Sequence, residues 1–154
     1  MNLDDRAAAL AAVPLFSQVG RKDLERLAKL ATERSFKSGA EIVREGEVGV
    51  AMFVITSGTT ETVKSDGGAE VHIQDQGRGG YFGHMALFEN FPRSATVRAK
   101  SDVDVLAITE WDLHAELRET PEIAVQLLKS VVRQLRETTD ALADLKGDRA
   151  AGTD

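Results

Sequence analysis

The sequence predicts a mainly β fold with flanking helices: an antiparallel jelly-roll barrel, with N-terminal helices before it and a long C-terminal helix after it. Three observations predict this. Helical periodicity is confined to the two ends of the chain, around Leu24–Ala31 and beyond Glu110. Between them, short β-type runs are separated by glycines at Gly39, Gly46, Gly49, Gly58, Gly67, Gly68 and Gly77–Gly83, which suits a sandwich or barrel better than a parallel sheet. In the middle lies one unbroken apolar run, Ala51–Ile55, the mark of a strand covered on both faces. The expected domain is 1–146, with helices within 13–33, a β-roll over 34–109, C-terminal helices over 110–146, and a disordered tail at 147–154.

In chain order, residues 3–12 are alanine-rich with Asp4 and Asp5 in the first turn, which suits a short helix ended by Pro14. Leu15 and Phe16 read as a core anchor. Leu24, Leu27, Ala28 and Ala31 mark one apolar face of a second helix. Ser65-Asp66-Gly67-Gly68 reads as a hairpin turn between two strands, the second being Ala69–Gln74. Strict alternation puts Ala69, Val71 and Ile73 on one face of that strand and Glu70, His72 and Gln74 on the other. Ala95–Ala99 and Val103–Ile108 give further strands. Trp111, Leu113 and Leu117 belong to a short helix, with Trp111 as a packing anchor. Thr120-Pro121-Glu122 starts the last helix, which Gly147 is expected to stop near Lys146. Leu128, Val131, Leu135, Thr138, Leu142 and Leu145 follow heptad spacing along it.

Composition bounds the function. The chain has 154 residues, 42% hydrophobic and 29% charged, which fits one domain with a real core. Its formal net charge of −6 argues against a nucleic-acid partner, because neutralising phosphates needs clustered Lys and Arg. There is no cysteine, so disulfides, thiolate metal sites and cysteine nucleophiles are excluded. The N-terminus lacks a basic segment and no apolar stretch is long enough to span a bilayer, so a cytoplasmic location is expected. The three histidines, His72, His84 and His114, form no His-x-His pair, and no Ser/His/Asp set is supported. Neither a metal, a cofactor nor a catalytic residue is expected, and the chain reads as no enzyme.

The densest local signal is Gly80–Ala99, GYFGHMALFENFPRSATVRA. Gly83 lets the backbone approach a ligand. The turn His84–Phe88 would present free N–H groups at its start, and Arg93 adds a planar cationic fork. These are the parts of a phosphate-binding cassette.

Three stretches then carry a family resemblance: VPLFSQVGRKDLERLA; FKSGAEIVREGEVGVAMFVITSG, with Gly39, Glu45, Gly46, Gly49, Ser57 and Gly58 at turn positions; and the cassette itself. Together they resemble the cyclic-nucleotide-binding domain of catabolite-activator-type regulators, protein kinase regulatory subunits and cyclic-nucleotide-gated channels. The resemblance implies that Gly83, Met85, Ala86, Arg93, Ser94 and Ala95 hold a cyclic phosphate and that Val71 and Ile73 line a base pocket. The ligand would be cAMP or cGMP. The C-terminal helix would cover the base and signal to an unknown effector protein or to a second copy in a homodimer. The sequence departs from the family at His84, where a glutamate accepts from the ribose hydroxyl. Neutral imidazole still accepts one hydrogen bond but carries no charge. The alternative is a degenerate domain that no longer binds cyclic nucleotide and serves as a protein-interaction or dimerisation module.

Overall fold

A computed structural model describes residues 1–151, with side chains described over 1–148. Helix α1 (Leu3–Ala11) starts where the Asn2 side chain accepts from the Asp5 amide, 2.8 Å, with Asp4 and Asp5 complementing the helix dipole. A short 3₁₀ turn at Pro14–Phe16 delivers Leu15 and Phe16 into the core. Helix α2 (Arg21–Leu30) buries Leu24, Leu27 and Ala28, the face that the periodicity predicts.

Eight strands follow: β1 (Thr32–Phe36), β2 (Glu41–Val43), β3 (Ala51–Ser57), β4 (Thr60–Asp66), β5 (Ala69–Gln76), β6 (Tyr81–Phe82), β7 (Thr96–Ala99) and β8 (Val103–Thr109). They form two antiparallel four-stranded sheets, ordered β1-β8-β3-β6 and β2-β7-β4-β5. The expected barrel with helices at both ends is thus the observed architecture.

The central run Ala51–Ile55 is buried throughout, and its two faces serve two cores. Met52 and Val54 join Leu106 and Ile108 against the helices, with Leu10, Phe16, Leu27, Leu113 and Ile123. Ala51, Phe53 and Ile55 join Ala99, Val103, Val105 and Ala107 inside the roll. Burying apolar surface on both faces makes β3 and β8 the rigid floor on which the other strands are hung.

Helix α3 (Glu110–Glu119) is capped by Thr109, whose hydroxyl accepts from the Asp112 amide at 3.3 Å. Its core residue is Leu113. Trp111 is 59% exposed, so the expected anchor role falls to Leu113, two residues on and on the opposite side of the helix. Helix α4 (Pro121–Ala151) begins at the expected proline. Ile123, Leu127 and Ser130 are buried against the N-terminal helices. Ser130 Oγ accepts from the Gln18 amide at 3.2 Å, and Gln126 bridges the Gly20 amide and the Asp23 carboxylate.

Gly147 does not end α4, which runs on to Ala151. A glycine inside a solvated helix costs only about 1 kcal/mol relative to alanine, and the neighbouring Ala, Asp, Lys and Arg continue the helix. Residues 152–154 of the expected tail lie outside the described residues. Among the described residues no helix is long and apolar enough to cross a membrane.

Candidate functional site

The site grows out of the segment between β6 and β7. After Phe82 the chain must turn sharply, and Gly83 takes φ +79°, in the left-handed region that side chains disfavour. A 3₁₀ turn, His84–Leu87, follows, with the Ala86 amide bonded back to the Gly83 carbonyl at 3.1 Å. Ala86 and Leu87 face the core, while Met85 is exposed.

The chain then returns to Arg93, whose backbone is held on both sides. Its amide donates to Glu47 O at 2.7 Å and its carbonyl accepts from the Gly46 amide at 2.9 Å. With its main chain fixed, the Arg93 side chain reaches across to β3, where Nη2 donates to Ala51 O at 2.8 Å. It passes between two glycines. A Cβ on Gly49 would collide with the guanidinium carbon and Nε, and a Cβ on Gly83 would collide with Nη1 and sit 2.8 Å from Ala51 O. Gly49 therefore makes room for Arg93, a role its sequence neighbours do not signal.

The electrostatics of Arg93 are unusual for a half-buried cation. Burial lowers its pKa from the ordinary arginine value, and among the described residues no carboxylate opposes that shift. Its hydrogen bond to one carbonyl leaves other guanidinium N–H groups unused. A buried charge without a counter-charge costs free energy that an incoming anion would recover.

All seven cassette residues singled out above, Gly83, His84, Met85, Ala86, Arg93, Ser94 and Ala95, line one open cavity of about 490 Å³. The structure brings the expected phosphate set together. It does not bring Val71 and Ile73 to the same cavity: these are 42% and 53% exposed. Val43, Thr62, Gln74, Gln76 and Val97 form that wall instead. A β-bulge brings Gln74 onto the cavity face, while Val71, paired with Lys64, lies two pairs further along the strand, past the cavity's lining. Pairing runs Thr62 with Gln74 and then Val63 with His72, so Ile73 is an extra residue and strict alternation fails there.

His84 lies at the cassette's altered position. Its burial disfavours the charged form and lowers its pKa, so the imidazole is neutral at neutral pH. Its ring meets Tyr81 edge-on at 5.3 Å, and Nδ1 is buried without a hydrogen-bond partner. His84 and Met85 also line a second, apolar cavity of about 570 Å³ between the cassette turn and α4, with Leu127, Leu128 and Val131. His114 of α3 ties the end of the turn to the helices, its Nε2 donating to Leu87 O at 2.7 Å.

On the outer face of the same sheet the charges are matched. Arg98 binds Glu61 and Glu70, and Lys100 and His72 bind Asp75 at 2.8 and 2.7 Å. Donor atoms of Glu61, His72 and Asp75 lie within 4.8 Å of one another, but Arg98 and Lys100 already engage both carboxylates. The arrangement is a surface charge network.

Comparison with known proteins agrees with this geometry. A family model described as "Cyclic nucleotide-binding domain" matches residues 33–120. A cyclic nucleotide-gated potassium channel of Rhizobium etli is 36% identical over 125 residues, 81% of this chain and 34% of the channel. The Cyclic AMP receptor protein of Thermus thermophilus is 30% identical over 136 residues, 88% of this chain and 61% of the receptor. Among solved structures, the N-terminal domain of a transcriptional regulator from Streptomyces coelicolor superposes with a TM-score of 0.81 at 31% identity, covering 86% of this chain and 96% of that one. The chain thus spans about a third of the length of the channel relatives and under two thirds of the receptor.

Proposed function

This chain belongs to the cyclic nucleotide-binding domain family, and on that premise we propose that it is a cytoplasmic cyclic-nucleotide-responsive regulatory module, with no catalytic step, that signals through α4. The observation that carries the reading is Arg93: a half-buried guanidinium, threaded between two glycines, bonded to one carbonyl and without a carboxylate partner among the described residues. A cyclic phosphate is a monoanion that does not titrate near neutral pH. It supplies the missing counter-charge, and a charge-assisted hydrogen bond of this kind contributes about 1.5–3 kcal/mol. Ser94 adds a hydroxyl beside it. The ribose falls to His84, which lines the cavity and whose Nδ1, buried without a partner, reaches the hydroxyl when the ring turns toward the ligand.

Ligand at the cassette turn acts on α4 by way of the cavity that His84 and Met85 share with Leu127, Leu128 and Val131. A ligand that prefers one packing of this junction shifts the helix toward it. Calorimetric titration with cAMP and cGMP tests the reading, with His84→Glu alongside wild type. Binding by wild type supports it. Binding by the variant alone identifies a degenerate site, and binding by neither sinks the ligand reading.

A second reading is favoured by α4 itself. Leu128, Val131, Leu135, Leu142 and Leu145 are all exposed and recur at steps of three, four and seven. This stripe suits pairing with a second copy of the chain, as a dimerisation module with or without ligand. A monomeric mass by light scattering at high concentration removes it.

A further inference from the structure

The bulge at Ile73 decides what the β5 wall of the cavity is made of. Pairing runs Thr60–Gln76, Glu61–Asp75, Thr62–Gln74 and then jumps to Val63–His72. Side chains alternate along a strand, and one inserted residue exchanges the faces of everything beyond it. Glu70, His72 and Asp75 therefore share the outer face, where Arg98 and Lys100 hold them. Gln74 and Gln76 turn into the cavity with Thr62 and Val97. Two side-chain amides thus stand on one face of one strand, in the cavity that Arg93 supplies with a cation. One amide is visibly unmet. Gln76 Oε1 is buried without a partner, lying over Gly80, where a Cβ would come within 2.7 Å of it.

We propose that Gln74 and Gln76 read the heterocycle of the ligand and select a 6-aminopurine, so that the adenine cyclic nucleotide is preferred to the guanine one. The inference rests on the cyclic-nucleotide reading and deepens it. An amide side chain offers one donor and one acceptor side by side. Adenine carries a 6-amine with two N–H donors, flanked by ring-nitrogen acceptors on both sides, so an amide fits it from either edge. Guanine presents two acceptors, its 6-oxygen and N7, along one of those edges, and only its other edge matches an amide. Gln74 is the amide that stands exposed in the cavity, and the 6-amine beside either ring nitrogen matches its acceptor and donor.

The test is calorimetric titration of wild type and the Gln74→Leu/Gln76→Leu variant. The probes are adenosine 3′,5′-cyclic monophosphate, its guanosine counterpart and the cyclic monophosphate of purine riboside, which lacks the amine. Wild type is expected to bind the adenine compound about tenfold more tightly than either of the others, the worth of one well-made hydrogen bond. In the double variant the three affinities converge to within about twofold, because no amide remains to discriminate. Equal affinities in wild type, a guanine preference, or an adenine advantage that survives in the variant would each overturn the inference while leaving the proposed function standing. Failure of wild type to bind any of the three overturns both. Should the double variant lose its thermal unfolding transition, Gln74→Leu alone carries the comparison.

Discussion

Arg93 and Arg98 lie close in sequence, one just before β7 and one within it, and they live in opposite electrostatic worlds. Arg98 is on the outer face, clasped by Glu70 and Glu61, whose hydrogen bonds raise its pKa above the ordinary arginine value. It holds Glu70 in turn below the usual carboxylate range. Arg93 is buried further, meets a carbonyl in place of a carboxylate, and has its pKa lowered by desolvation. The first arginine is satisfied by its own chain. The second is supported in position and left short of charge. A protein that only needed packing at residue 93 would lose nothing by an apolar side chain there, since a lone buried charge opposes folding.

The comparison can be broken most sharply at Arg93. Arg93→Leu is expected to lower cyclic-nucleotide affinity on the order of 100-fold while leaving stability unchanged or raised. Calorimetry and thermal unfolding read the two effects, and an affinity change under about threefold would end the distinction between the arginines. Gly83→Ala comes next. The positive φ costs about 1–2 kcal/mol of stability, and the added Cβ displaces the guanidinium, so affinity falls roughly tenfold as well. If only stability moves, Gly83 is there for the turn alone.

His84→Glu restores an acceptor with full charge at the ribose position. About a tenfold gain in affinity is expected in calorimetry, and a loss would mean that the imidazole is the better partner in this cavity.

The pH dependence follows from the burial of the same ring. Above 6.5, its ordinary value, the imidazole is neutral folded and unfolded, and its contribution to stability is complete. As pH falls through 6.5 the unfolded chain takes up a proton that the folded chain resists. Stability then falls, by at most about 1.4 kcal/mol per pH unit for one proton, until the depressed folded pKa is reached. Denaturant unfolding at several pH values should show this slope in wild type and lose it in His84→Gln. A bound phosphate pulls the same pKa back up, so affinity should rise as pH falls below 6.5. Flat affinity there separates His84 from the phosphate.

The smallest effect is expected at the satisfied arginine. Arg98→Ala should cost about 1 kcal/mol of stability or less, as surface ion pairs do, with affinity unchanged. A large affinity loss would connect the outer network to the cavity.

The cassette was legible because it is local. Gly83, the short turn and Arg93 lie close together in sequence, and their chemistry does not depend on distant strands. The two-faced burial of Ala51–Ile55 was legible for the same reason, since an unbroken apolar run needs two cores wherever it lies. What escaped is what depends on register. The resemblance placed Val71 and Ile73 at the base wall and alternation set Gln74 on the opposite face; the unpaired Ile73 brings Gln74 onto the cavity face, and Val71 lies two pairs further along the strand, past the cavity's lining. No residue type in Val71–Gln76 announces the bulge. Gly49 is another such case: its φ is unremarkable, and its need for a bare Cα comes from Arg93, far along the chain. Gly147 looked like a helix stop, but a C-terminal glycine is only effective where the helix has reason to end.

The length of α4 has a mechanical consequence. Its first part, through Ser130, is docked by buried residues, and its remaining residues up to Ala151 extend the same helix of 31 residues. At 1.5 Å per residue the arm past Ser130 is about 30 Å long. A tilt of roughly 10° at the docked end would sweep the far end through about 5 Å, roughly the rise of one helical turn. Under the proposed function the helix would work as a lever with its fulcrum beside the cavity. A displacement too small to disturb the barrel becomes, at the tip, large enough for another protein surface to feel.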